Sequence, residues 1–382
     1  MSHYPVGESA TLDELAADPH ALLARLRAAE PVSWLPVLGG WLVTGYDLAL
    51  RVLRDPATFT VDDPRFSTAQ VIGPSMLSLD GAAHARHREP FVPPFRPGQV
   101  RDRFAGFVER EAERLISAIR PAGAVELRSE VAGPLAVAVV AEALGLVGVE
   151  PAMVLSWYAA IVHAVSEVTA GRSAPAEAAG AFGALRASVE HTIAVGHGPV
   201  LGEAARGLGR SEVVSNAAVL MFGGIDTTEG MIVNAVRHLL LHPEAGITTD
   251  PGLLANAVEE SVRLEPAAAV VDRYATADVT LGAAEVRRED LVRVSITGAN
   301  RDPAVFPDPD RFDVRRANAR SNLAFAQGPH FCLGAQLARA ETAIAVRLLL
   351  DRLPGLRLDP AHPHAPHGLV FRKPPALHVR WG

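Results

Sequence analysis

Phe325-Ala-Gln-Gly-Pro-His-Phe-Cys-Leu-Gly334 contains the only cysteine of the chain, Cys332. Glycines flank the thiol at Gly328 and Gly334, a histidine precedes it by two positions, and a helix-forming run from Ala335 to Arg352 follows. The sequence therefore presents Cys332 from a glycine-relieved loop at the start of a helix. The dipole and the unpaired N–H groups at such an end favour thiolate over thiol. Zinc and iron–sulfur centres take several sulfurs, so a lone thiolate suits a metal centre held at one protein atom. An isolated cysteine is more often a small apolar filler; the spacing around Cys332 is what argues for the functional reading.

A second stretch, Gly223-Gly-Ile-Asp-Thr-Thr228, lies inside the long apolar-periodic run Ser211–Leu241. As one helix that run would be about 46 Å long at 1.5 Å per residue. Each interior glycine costs about 1 kcal/mol relative to alanine, and close helix packing is the ordinary reason to keep one. Gly223 and Thr227 are four apart and share a face. The hydroxyl thus lies over a position without a side chain, beside the carboxylate of Asp226, which describes a small polar groove.

Composition sets wide bounds. The 382 residues are 49% hydrophobic and 21% charged with a net charge of -7, which gives no bias toward nucleic acid. One cysteine excludes a disulfide framework and fits a reducing cytosol. Met1 to Asp18 is polar and mixed, without the basic start and apolar core of a signal peptide or the run of an anchor. The expectation is a cytoplasmic protein that binds neither membrane nor nucleic acid.

Helical periodicity predominates, over Ala16–Glu30, Tyr46–Arg54, Arg101–Arg120, Ser129–Leu146 and Pro151–Thr169. Short extended runs fall at Val32–Val37 and Gly40–Thr44, turning near Gly39-Gly40, and at Val270-Val271, Val279–Leu281 and Leu291–Ile296. An irregular Pro-rich segment, Asp302 to Phe312, precedes the cysteine loop. Without repeats or a clean linker, the pattern predicts one domain over 1–382, mainly α with small β-sheets. The histidines of Ala361-His-Pro-His-Ala-Pro-His-Gly368 read as an exposed loop, since proline separates them and no carboxylate lies among them.

The pattern Phe-x-x-Gly-x-His-x-Cys-x-Gly resembles the heme-binding loop of the cytochrome P450 family. The resemblance extends from about Ala16 to Trp381, with the family's landmarks in order. It implies that Cys332 is the axial iron ligand of heme b, with Phe325 and Gly334 in the cradle loop. One departure is Ala326, where the family usually has glycine. By the same resemblance, Asp226 and Thr227 are the acid and alcohol of a proton relay for oxygen activation. His84, Arg88, Arg273 and His330 correspond to the partners of the heme propionates, while Arg86 and His87 are expected to face elsewhere. Glu260, Arg263 and Arg311 correspond to a buried network that holds the heme loop. The implied fold is P450-like, with heme between the long central helix and the cysteine-loop helix.

The implied activity is a heme-thiolate monooxygenase. It would activate O2 with two externally supplied electrons and hydroxylate or otherwise oxidise a mostly apolar small organic molecule of secondary metabolism. Phenol coupling, desaturation or nitration on the same fold is the alternative, and a non-catalytic heme protein a more distant one. A ferredoxin and its reductase are the implied donors, docking on Arg96, Arg101, Arg103 and Arg320, and a monomer is expected. Val219, Phe222, Gly223, Ala268 to Val271 and Val370-Phe371 would line the substrate site. Phe66 to Leu79 would roof it, with Arg65, Thr68 and Gln70 as polar contacts.

Overall fold

The computed structural model describes residues 4–146, 148–169, 172–243 and 251–382. Its chain contacts divide into two units, Met1–Thr60, Ala112–Ala132 and Thr227–Gly382 against Val61–Glu111 and Gly133–Asp226. The long helix Arg210–Leu241 gives its first half to the second unit and its remainder to the first.

The first unit contains the sheets. Five strands run in the order Val32–Leu35, Gly40–Val43, Leu291–Ser295, Val270–Ala275, Phe59–Thr60. The predicted hairpin is present, with Val32 opposite Val43 and Leu35 opposite Gly40. Its first strand ends earlier than expected, because Pro36 opens a turn of 3-10 helix to Leu38 and Gly39 closes it at φ 60°, a left-handed conformation that glycine adopts without cost. Leu42, Val43, Val292 and Val294 are almost wholly buried, as expected of strands covered on both faces. One apolar core joins this sheet to the helix Tyr46–Arg54 through Val52, Leu53, Phe59 and Leu323. The helix Pro251–Leu264 packs against the terminal helix Ala335–Arg352.

The second unit is helical. Pro151–Thr169 packs against Ala176–Ala194, against Ser67–Ile72 and against Gly133–Leu144. The Ala- and Gly-rich run Ala176–Ala194 has little apolar contrast between its faces and was not separable as a helix by periodicity. Residues Pro151–Val168 are apolar and long enough to cross a membrane, the one such helix among the described residues. This helix packs against three others, with 28% of that stretch buried.

Candidate active site

The cysteine loop is built by its own backbone. Cys332 N–H donates to Phe325 O at 2.8 Å, which folds the loop into a closed turn, and the helix Ala335–Arg352 follows with Gly334 as its cap. Gly328 lies at φ 73°, and a Cβ on it would sit 2.6 Å from Leu53 O. The loop therefore passes against the backbone of the helix Tyr46–Arg54, and only glycine fits there. Gly328→Ala combines a left-handed alanine, about 1–2 kcal/mol, with this collision. The variant is expected to melt several degrees lower and to retain less heme per protein, both read by absorbance. An unchanged ratio would show that the loop gives way elsewhere.

Ala326 lies at φ 56°, so the family's glycine position is left-handed here too. The same strain of about 1–2 kcal/mol applies. The methyl packs against the core of the first unit, and burying one such group returns at most about 0.8 kcal/mol. The departure at Ala326 is thus a small residual strain taken up by packing.

Two acidic residues adjacent in sequence anchor this loop and the chain that leads into it. Glu259 accepts from Arg339 Nε at 2.6 Å and lies 3.6 Å from Arg320 Nε. The Arg339 guanidinium covers the Phe325 ring at 4.1 Å. Glu260 is fully buried and accepts from Arg263 Nε and Nη2 at 2.7 and 2.8 Å, from Arg316 Nε at 2.9 Å and from Asp313 N–H at 3.0 Å. Asn300 completes the anchorage by accepting from Leu323 N–H at 2.7 Å.

The expected third member of the Glu260 network, Arg311, is corrected by this geometry. Its side chain is 69% exposed and lies 4.0 Å from Asp313, and only its carbonyl enters the network, accepting from Arg263 and Arg316. The Pro-Asp turn before it aims the side chain outward, and Arg316, five residues on, supplies the cation. The Glu259–Arg339–Phe325 link was also missed; the sequence signal was a glutamate next to Glu260 and an arginine one turn into the terminal helix. Glu341 on that helix is buried, and burial pushes its carboxyl up to about 8, so it is neutral at pH 7.

Arg273 is buried on the strand Val270–Ala275 and donates to Asp272 O at 2.7 Å. The Asp272 carboxylate is taken by Arg293, at 2.6 and 2.7 Å. His330 ends the short turn Gly328–His330. Ala268 bridges Phe371, and Ala269 N–H donates to Val370 O at 2.8 Å. The two segments expected to share a substrate wall are therefore joined.

In the second unit, His84 is buried on the helix Gly81–Arg88, which ends in Arg88. Arg86 and His87 are directed instead to Glu212. The two glycines of the long helix have different surroundings. A Cβ on Gly224 would meet Val140 Cγ2 at 2.6 Å, whereas one on Gly223 would meet nothing within 4 Å. Gly224 is a packing glycine and Gly223 leaves room. Arg65 is held by Asp63 at 2.8 Å, and Gln70 donates to Pro64 O, so both make contacts within their own segment.

The donor set fits a group held by one sulfur. Among the described residues no three His, Cys, Asp or Glu side chains are arranged to hold a metal ion. In the first unit, a Cβ on Gly334 would meet nothing within 4 Å, so the loop leaves open space two residues beyond the thiol.

Comparisons with known proteins agree. The family profile "Cytochrome P450" matches residues 252–376. The chain is 34% identical to cytochrome P450 monooxygenase PikC of Streptomyces venezuelae over 96% of this chain and 92% of that one. It is 32% identical to nocardicin C N-oxygenase of Nocardia uniformis over 99% and 98%. The crystal structure of P450BioI with a hexadecenoic-acid-loaded acyl carrier protein superposes with a TM-score of 0.86 at 27% identity, covering 96% and 99%. The chain thus belongs to the cytochrome P450 family, as a heme-thiolate monooxygenase that binds heme b through the Cys332 thiolate.

Proposed function

We propose that the whole chain, 1–382, works as one catalytic domain that oxidises a mostly apolar small organic molecule of secondary metabolism. Heme b supplies O2 activation once reduced, and a thiolate ligand favours O–O cleavage. The protein's part is to hold the cofactor and move protons. Arg88, Arg273, His84 and His330 neutralise the two propionates, while Phe325 and Gly334 shape the loop around Cys332. Asp226 and Thr227 would hold protons and move them from solvent toward the side of the helix where Gly223 leaves room, a general acid role.

The observation that carries this reading is Gly223. It lies one turn before Thr227 on the same helix, and a Cβ there meets nothing within 4 Å. The helix face that Thr227 shares with Gly223 by spacing thus has room at Gly223 for oxygen or water. Electrons come from a ferredoxin and its reductase. In the second unit Arg96 and Arg103 line one surface cavity and Arg101 is exposed, and in the first unit Arg320 is exposed, so each unit offers an acidic partner cationic contacts of its own. The protein is read as a cytoplasmic monomer. A non-hydroxylating oxidation is the second reading, favoured by the similarity to CxnD, a cytochrome P450 for C–S bond formation.

Thr227→Ala tests the relay. With a substrate chosen from a set of apolar organic compounds as the one that gives the largest spin-state shift, the variant should keep consuming NAD(P)H and O2. Product per O2 should fall about tenfold or more, a modest share of the 10²–10⁴ a positioned proton donor contributes, with the balance released as hydrogen peroxide. Unchanged coupling would remove Thr227 from the relay.

A further inference from the structure

The second unit carries a cavity of about 280 Å³ whose lining includes Val71, Ile72, Pro74, Phe182, Arg186 and Glu212. None of its lining residues belongs to the set assigned to heme, and Val71 to Pro74 reach it from the stretch expected to roof the substrate site. Its wall is preformed: Ser215 Oγ donates to Ile72 O at 2.5 Å, and Met76 N–H donates to Asn216 Oδ1 at 2.8 Å. These bonds fix the chain around residues 72–76 to consecutive positions of the long helix.

The charges of the cavity are unequal. Glu212 is matched, since Arg86 engages both its oxygens and His87 Nε2 lies 3.2 Å from Oε1. The Arg86 hydrogen bonds hold its carboxyl at about 2, so it stays ionised and paired at neutral pH. The guanidinium of Arg186 is 5.7 Å from the Phe182 ring and makes no ion pair among the described residues. The result is a small apolar slot with one uncompensated planar cation at its edge.

We propose that this slot binds a small carboxylic acid as a second ligand, in addition to the substrate. The carboxylate takes the two-pronged geometry that guanidinium offers and ammonium does not. Its apolar body lies against Val71, Ile72, Pro74 and Phe182. At about 30 Å³ for each water-sized unit the slot holds roughly ten heavy atoms, which selects medium-chain or single-ring acids.

Calorimetric titration of the holoenzyme with octanoate tests this, with octan-1-ol as the uncharged comparison and with and without imidazole saturating the iron. Octanoate is expected to bind one to one in both conditions, and octan-1-ol about tenfold more weakly or less, because a charge-assisted pair is missing. Arg186→Gln should weaken octanoate by about the same factor, Arg186→Lys should retain part of it, and Val71→Trp should block it. Equal affinity for acid and alcohol, no loss in Arg186→Gln, or no heat up to millimolar octanoate would overturn the proposal. Displacement by imidazole would do so as well, since it would place the acid at the heme iron.

Discussion

Cys332→Ser is expected to give a folded protein that shows no thiolate Soret band in the reduced, carbon monoxide-bound state and no measurable monooxygenation. The argument separates the loop from its ligand. The turn is held by backbone atoms, Cys332 N–H to Phe325 O at 2.8 Å, and by Leu323 N–H to Asn300 Oδ1 at 2.7 Å. Serine keeps the first bond and leaves the second untouched. Loop packing should therefore change little, within the ±0.5 kcal/mol usual for a substitution that disturbs neither core nor network. The chemistry changes completely, because an alcohol does not ionise at neutral pH and cannot push electron density onto iron as a thiolate does. No second cysteine exists to take over. Circular dichroism and thermal melting should match the parent while the spectrum and turnover do not. A retained thiolate-type band would contradict the assignment outright.

What the sequence revealed follows the range of its interactions. Cys332, Gly328 and Gly334 were legible because a tight turn before a helix writes its needs into consecutive residues. The Gly223–Thr227 face was legible because helical spacing places both on one side. That Gly224 is a packing residue and Gly223 is not required the position of Val140, more than 80 residues away. Arg316 could not be told from Arg311 for the same reason. Both are arginines near a turn, and only the fold decides which one reaches Glu260. The helix Ala176–Ala194 was illegible for a different cause, since alanine and glycine give little contrast between faces.

Glu260→Gln is expected to cost 3–5 kcal/mol, the range for removing one partner of a buried ion pair, and to abolish stable heme retention. Glu260 takes three side-chain hydrogen bonds from two arginines, of which Arg263 is fully buried and Arg316 is 7% exposed. The amide removes the negative charge and turns a donor toward guanidinium donors, leaving two buried cations uncompensated. Against a total stability of about 5–15 kcal/mol, such a loss leaves little margin. The loop feels it directly, because Arg263 also donates to the carbonyls of Asn300 and Pro309, each at 2.8 Å. Asn300 in turn holds Leu323, two residues before Phe325. Two further variants assign the third member of the network. Arg316→Gln should approach the Glu260→Gln phenotype, since it withdraws a buried donor that also serves Pro307 O and Asp308 O. Arg311→Gln should stay within about 0.5 kcal/mol of the parent, because its side chain is exposed and its contribution comes through a carbonyl that glutamine keeps. Denaturant melts of the three proteins, read with heme absorbance, check the order. A severe Arg311→Gln beside a mild Arg316→Gln would reverse the assignment made from the geometry.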